Sequence, residues 1–380
     1  MLITIIIFII VLGVLVLVHE WGHFFAARRF GVHVEEFGFG FPPRLFSWRG
    51  RKKPDGTRFS LNLLPLGGFV KIKGETSDDA VAPDSFAHQK IWKRVLILSA
   101  GVIMNFVLAV LIFAIVYGVG VPRPLDEPGV IGAGARVRDQ KLQVMEVLPK
   151  SPAAEAGFKA EDTVIDVGVV VRFSVGQGVT AVGRKKIVEN LDGEKFKQYI
   201  RDHASEELSV HVKRDEKDLL IKVTPRILEG GTAPALGVAL LPSGVVSYPW
   251  YLLPWAGVRE TGYVTWQTLK AFGGIIQNVA QGRPIGAEIS GPVGVAKITG
   301  VVARMGFIYL LQLIALLSVN LAIINILPFP ALDGGRVLFA FIEKVRGRPV
   351  AAKVEKVVHM IGFILLLLLI ALVTYRDIAR

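Results

Sequence analysis

The stretch Leu12-Gly-Val-Leu-Val-Leu-Val18-His19-Glu20-Trp21-Gly22-His23-Phe24-Phe25 decides how the rest of the chain is read. From Leu2 to Val18 only Thr4 and Gly13 interrupt strongly apolar residues, and three ionisable residues then follow within five positions. A bilayer core of about 30 Å is crossed by about 20 apolar residues of helix, so Leu2–Phe25 is long enough to span. It lacks a basic leader, and its apolar run exceeds the roughly 7–15 residues of a signal-peptide core. We therefore expect a retained transmembrane helix. The polar residues spell H-E-x-x-H. Four residues apart on a helix, His19 and His23 share a face and can address one metal ion, with Glu20 beside them to act on water. The competing reading is interfacial residues snorkelling from a helix end. Snorkelling favours Lys and Arg, whereas ionisable groups inside a membrane are costly and functional by default.

Three further stretches have span length: Val95–Val121, Met305–Leu327 and Val357–Thr374. The composition agrees, with 52% hydrophobic residues in 380. The formal charge of +12 suits either nucleic acid or an anionic membrane surface. No basic stripe interleaved with aromatics is present, which argues for lipid and against nucleic acid. There is no cysteine, so disulfides are excluded and a metal must be held by nitrogen and oxygen. Basic residues flank the spans at Arg28 and Arg29, at Lys90, Lys93 and Arg94, and from Arg336 to Lys356. By the positive-inside rule these loops are cytoplasmic, with both termini and the long segment Pro122–Arg304 outside. The basic tail Arg376–Arg380 opposes this.

A catalytic zinc site needs a third protein ligand and keeps one position open. The end of the third span reads Asn325-Ile-Leu-Pro328-Phe-Pro330-Ala-Leu-Asp333-Gly334-Gly335. Two prolines break the helix at membrane depth, which is tolerated where backbone is buried in protein or lines a wet cavity. Asp333 is the candidate ligand. Alone, the stretch also reads as a turn at a helix exit. Spans 1 and 3 run in the same direction, so His19, His23 and Asp333 come to similar depth. Asn105, roughly 16 Å along the second span, can face the metal or make an interhelical hydrogen bond. Gly101 reads as a point of close helix approach.

Together these motifs resemble the site-2 protease family of intramembrane zinc metalloproteases, in its bacterial regulator-of-sigma-E-protease branch, over nearly the whole chain. The carriers are His19-Glu20-x-x-His23, Gly101-x-x-x-Asn105, and Asn325-x-x-Pro328-x-Pro330-x-Leu332-Asp333-Gly334. The resemblance implies Zn²⁺ on His19, His23 and Asp333, Glu20 as general base, and Asn325 and Asn105 at substrate or oxyanion. Glu36-Phe-Gly-Phe-Gly40 through Leu64-Pro-Leu-Gly67-Gly68-Phe-Val-Lys71 resembles the family's membrane-associated β-hairpin, about residues 33–75. Its edge, with Gly67 and Gly68, would hold an unwound substrate. The alternating Phe59–Leu63 and the turn signal Pro54-Asp55-Gly56 agree with a hairpin. Its Phe residues and Trp48 also suit an interfacial anchor.

Ser151-Pro-Ala-Ala-Glu-Ala-Gly157-Phe158 with Asp162–Val167 resembles a PDZ domain with a core of about Val137–Ile227. Only one such domain is evident, where many bacterial relatives have two, and Val167–Gly183 departs from PDZ spacing as an insertion or irregular pocket. Tyr248–Ala303 is interrupted by Arg259, Glu260, Lys270 and Gln277. With Trp250, Trp255 and Trp266 it suits interfacial amphipathic helices. Ser290–Ala296 resembles a family segment of unassigned role.

The expected fold class is thus a polytopic α-helical membrane protein with four spans, a membrane-associated β-hairpin and an inserted extracytoplasmic PDZ (α+β) domain. The expected layout is 1–121 spans and hairpin, 122–246 PDZ, 247–304 interfacial helices and 305–380 spans, in a bacterial inner membrane. The resemblance implies cleavage of single-span substrates, of anti-sigma-factor or remnant-signal-peptide type, with exported peptide tails docking on the PDZ domain. Two other functions compete with this one. A non-catalytic PDZ scaffold leaves Glu20 unexplained, and a metal transporter ordinarily shows the inverted repeat that is not evident here.

Overall fold

The computed structural model describes residues 2–50, 56–75, 82–125, 131–174, 180–189, 193–214, 217–228, 232–283, 291–348 and 350–379. The chain opens with α1 (Leu2–Arg29), β1 (Val34–Arg49), β2 (Arg58–Ile72) and α2 (Ile91–Val119). Next come β3 (Val121–Pro124), β4 (Arg136–Val147), α3 (Pro152–Ala156), β5 (Thr163–Ser174), β6 (Thr180–Glu189) and α4 (Gly193–Asp202). They are followed by β7 (Leu208–Arg214), β8 (Lys217–Val223), β9 (Arg226–Ile227), β10 (Pro234–Ala235) and β11 (Val238–Ser247). The last helices are α5 (Leu253–Ala280), α6 (Pro292–Met305), α7 (Phe307–Ile326), α8 (Asp333–Arg346) and α9 (Ala352–Ala379). Two compact units result: Met1–Val116 with Pro254–Arg380, and Tyr117–Leu253.

In the first unit, α1, α2, α7 and residues Lys353–Ala379 of α9 are, among the described residues, the four helices long and apolar enough to cross a membrane. The boundaries differ slightly from those expected. The second span ends at Val119 because Gly120 adopts φ +101°, and Val121 joins β3 instead. The third starts at Phe307, after Gly306 at φ +130° separates α6 from α7. The expected interfacial stretch forms α5 and α6, neither of which is both long and apolar enough to cross a membrane. On α5, Trp255, Trp266 and Ile276 are exposed, while Glu260 and Thr261 are buried.

The stretch of unassigned role begins α6. Its Gly291 and Gly294 N–H groups donate to the Asp377 carboxylate near the end of α9, at 3.2 and 2.7 Å. Ser290 lies outside the described residues.

Strands β1 and β2 form an antiparallel hairpin. Its alternation is inverted relative to a water-soluble sheet. Ser60 and Asn62 are buried, whereas Leu61, Leu63 and Leu64 are exposed, as are Phe41, Phe46 and Trp48 on β1. Asn62 satisfies its amide by donating to the Gly40 carbonyl at 3.0 Å. Apolar side chains on the outer face suit lipid as solvent. Pro54 and Asp55 of the turn signal lie outside the described residues. At the hairpin base Val34, Phe37 and Ile72 pack with Phe24 and Ala27 of α1 and Ile97 and Leu98 of α2. This core anchors β2 beside the polar end of α1.

The second unit is built on a sheet in the order β3-β11-β4-β5-β7-β8, with β6 also paired to β5. The motif Ser151–Phe158 forms α3, capped at one end by Ser151 Oγ accepting from the Ala154 N–H (3.2 Å) and at the other by Gly157 at φ 89°. Amphipathic α4 buries Phe196, Tyr199 and Ile200, one helical stripe, against Leu142, Val167 and Leu208 of the sheet. Within the stretch Val167–Gly183 the described residues form strands, with a register shift between Val167 and Val169. They are paired antiparallel as β5 and β6, with residues 175–179 outside the described set. Strand β11, beyond the expected core, completes the sheet next to β4.

Candidate metal centre

Three donor atoms from two distant stretches converge in the first unit. His19 Nε2 and His23 Nε2 lie 3.2 Å apart. Asp333 Oδ2 lies 3.0 Å from the first and 3.3 Å from the second. The fit to an ion can be tested on these spacings. Four ligands at about 2.0–2.1 Å around a tetrahedral zinc stand about 3.3–3.4 Å from one another. The observed triangle has nearly those edges.

The proton positions agree. His23 Nδ1 is 2.8 Å from the Ile97 carbonyl, so it carries the hydrogen and leaves the Nε2 lone pair facing the centre. Behind His19, the Asn105 amide lies 3.2 Å from Nδ1, with its nominal oxygen buried and unpartnered. The two ends of an amide are interchangeable by a 180° flip. Flipped, the oxygen accepts from Nδ1–H and the Nε2 lone pair of His19 also faces the centre. Asp333 Oδ2 is buried without a hydrogen-bond donor of its own. Two lone pairs and a carboxylate oxygen brought this close repel one another unless a shared proton or a metal ion lies between them.

Local sequence explains how the elements approach. A Cβ on Gly101 of α2 would sit 2.4 Å from His23 Nε2 and 2.6 Å from His19 Cε1, so glycine is required beside the imidazoles. The expected close approach is therefore to the metal-site side chains themselves. A Cβ on Gly334 would meet the Ile326 and Leu327 carbonyls at 2.3 Å, so the first turn of α8 folds back onto the end of α7 only with glycine there. Ser318 of α7 donates to the Asn105 carbonyl at 2.8 Å, and Arg94 of α2 pairs with Glu343 of α8 at 2.8 Å.

Glu20, His23 and Asp333 line one cavity of about 470 Å³ with Phe69 and Val70 of β2. Strand β2 thus lies directly against Glu20. The remaining expected site residues are placed unequally. Asn325 reaches to 3.5 Å from His19 Nε2. Asn105 is wholly buried behind the imidazole. A Cβ on Gly68 would touch Glu20 Cγ at 3.4 Å, whereas Gly67 lies against the Phe41 ring. Sequence reasoning missed Glu75, Arg336 and His359, which form another polar part of the cavity wall. Arg336 is ion-paired with Glu75. The signal for His359 was available, as an ionisable residue within an apolar span.

Residues 7–369 match the family model of peptidase family M50. The chain belongs to that family. Three relatives cover it almost end to end. Protease RseP of Yersinia pestis is 31% identical over 98% of both chains. The regulator of sigma-E protease RseP of Escherichia coli K12 is 30% identical over 98% of both. A putative zinc metalloprotease of Mesorhizobium japonicum is 31% identical, again over 98% of both. The alignment to the Yersinia relative runs over 444 positions, more than the 380 residues here, so that relative carries insertions that this M50 chain lacks. The protein is an enzyme of the metallopeptidase class, and His19, His23 and Asp333 form a group able to hold a metal ion.

Proposed function

We propose that this M50 peptidase binds zinc through His19, His23 and Asp333 and cleaves the transmembrane segments of single-span proteins. The observation that carries the reading is the near-tetrahedral spacing of the three donor atoms beside Glu20. Zinc held there would supply Lewis acidity toward the scissile carbonyl. Glu20 takes a proton from the attacking water as its oxygen bonds to the carbonyl carbon. The same carboxyl returns that proton to the amide nitrogen as the C–N bond breaks. Asn325 donates to the developing oxyanion, and Asn105 holds the His19 ring in register.

The substrate must be unwound before its backbone can be attacked. The hairpin supports this role, since β2 passes directly beside Glu20 and, among the described residues, belongs to a sheet of two strands. An added strand would find its hydrogen bonds there. The outward apolar residues of the hairpin support its membrane association. The Tyr117–Leu253 unit is proposed to be the PDZ domain, outside the inner membrane with both termini, where it docks exported peptide tails. The capped α3 turn and the basic loops flanking the spans support this arrangement. Anti-sigma factors and remnant signal peptides are the proposed substrate types. The test is cleavage of a single-span substrate by purified protein in vesicles. Glu20→Gln is expected to lower the rate by about 10²–10⁴-fold, the usual contribution of a general base. Cleavage at the wild-type rate would refute the proposal.

A further inference from the structure

Asp333 opens α8 at the end of a short irregular segment that follows α7. Within that segment Phe329 N–H donates to Leu327 O at 2.7 Å and Leu332 N–H to Phe329 O at 3.1 Å. Between them Ala331 adopts φ +81°. A residue with a Cβ enters the left-handed region only against a steric penalty, so surrounding structure must hold it there. The Ala331 N–H is directed out of the segment. It donates to Nδ1 of His359 on α9, at 3.0 Å. Three residues along the same face of α9, Gly362 packs on the neighbouring residue. A Cβ there would meet Pro330 Cβ and O at 2.4 Å. Residues 330 and 331 are thus gripped together by one stripe of α9. That grip stands out, because only 6% of the apolar window of α9 is buried. An acceptor at Nδ1 also fixes the tautomer, placing the ring hydrogen on Nε2.

We propose that His359 is a positioning residue for the metal centre. Its Nδ1 holds the Ala331 backbone in the left-handed conformation, and this sets where the carboxylate two residues on meets His19 and His23. The inference rests on the reading that Asp333 is a zinc ligand. It assigns to the fourth span a task in the chemistry, although that span contributes no ligand.

Side-chain geometry supplies a discriminating test. Asn carries an acceptor oxygen at the δ position, close to where His presents Nδ1. Gln carries its oxygen one atom further out, and Ala has none. Zinc affinity is measured on the full-length protein in detergent by competition with a chelator, and the visible d–d spectrum is recorded after Co²⁺ substitution. His359→Ala and His359→Gln are expected to bind zinc about 10–100-fold more weakly, the range found when a ligand loses its supporting contact, and to show an altered Co²⁺ spectrum. His359→Asn is expected to recover affinity and spectrum. With a transmembrane substrate, Ala should lower kcat while leaving KM unchanged. Gly362→Ala, which pushes on Pro330 with His359 intact, should perturb the same spectrum even if a His359 variant fails to fold. The proposal is overturned if His359→Ala keeps wild-type affinity and spectrum, or if Asn fares no better than Gln. Asp333→Ala separates the two levels. Wild-type zinc binding by that variant would remove the metal assignment itself, whereas its loss alongside a normal His359→Ala removes only this proposal.

Discussion

The two units of the chain are built inside out with respect to each other. In the helical unit large apolar side chains face outward, such as Ile10 and Phe25 on α1, Leu111 and Ile115 on α2, and Leu368 and Leu372 on α9. Its buried positions include His19, His23, Asn105 and Ser318. In the Tyr117–Leu253 unit Leu142, Val144, Val167, Phe196 and Leu208 fill an apolar core. There the buried Asp162 is neutralised by Arg214, which binds it through Nε at 2.6 Å and Nη2 at 2.7 Å. The difference is one of solvent. In water, apolar burial drives folding. In lipid, apolar surface costs nothing to expose, and the interior is free to collect polar groups that must satisfy one another. The first unit sets the Asp333 carboxylate against two imidazoles, and the second sets the Asp162 carboxylate in the fork of an arginine.

If the two regimes are separate, perturbing one should spare the other. The largest effect is expected from stripping the metal with a strong chelator. Cleavage should be abolished, while hydrogen-exchange protection of β4, β5 and β7 is unchanged. Loss of protection in the sheet would break the comparison. Next is Phe196→Ala, which empties the core of the second unit and should cost about 3–5 kcal/mol of its stability. Proteolysis within residues 117–253 should accelerate while zinc content stays constant. Gly101→Ala acts in the opposite place. It drives a methyl group into the imidazole pair and should weaken zinc binding by about 10–100-fold, the scale of a lost supporting contact, without altering proteolysis of the second unit.

The smallest effect concerns the loop between the hairpin and α2. A hydrogen bond from Lys73 holds the Asp84 carboxyl below its ordinary value. Its folded pKa is depressed, so the contribution is present above the unfolded value, about 4, and is lost as pH falls through the folded one. The pair is partly exposed, which limits the effect to under about 1 kcal/mol. Asp84→Asn should flatten the acid side of the stability profile by no more than that. A larger change would show that this loop is coupled to the helical core.

Much of the helical unit was legible because its signals are local. Twenty apolar residues declare a span, and His19 and His23 share a face by helical periodicity alone. The hairpin was legible from alternation around Phe59–Leu63, although only burial showed that Ser60 and Asn62, and not the leucines between them, face inward. What was hidden depends on distant partners. Asn105 allowed two readings until its amide was found behind His19. Gly101 read as a helix contact until the imidazoles were found in the space its missing side chain leaves. His359 stood in plain view as a polar residue in a span, but its partner is a backbone N–H, which no residue type announces. The β5–β6 pairing across Val167–Gly183 was hidden because glycine-rich apolar sequence fits strand, loop or pocket alike.

By itself the amino-acid sequence determined the four spans, the H-E-x-x-H face and the glycines and prolines after α7, because each follows from periodicity or from the conformational limits of single residues, and it offered Asp333 as a candidate beside a plain turn. Only the tertiary structure decided that the Asp333 loop meets that face. His19 and its neighbour Asn325 are 306 positions apart, and their approach is set by helix packing and by hydrogen bonds such as Ser318 to Asn105 and Ala331 to His359. Contacts of that kind join residues through space, and no pattern along the chain records them.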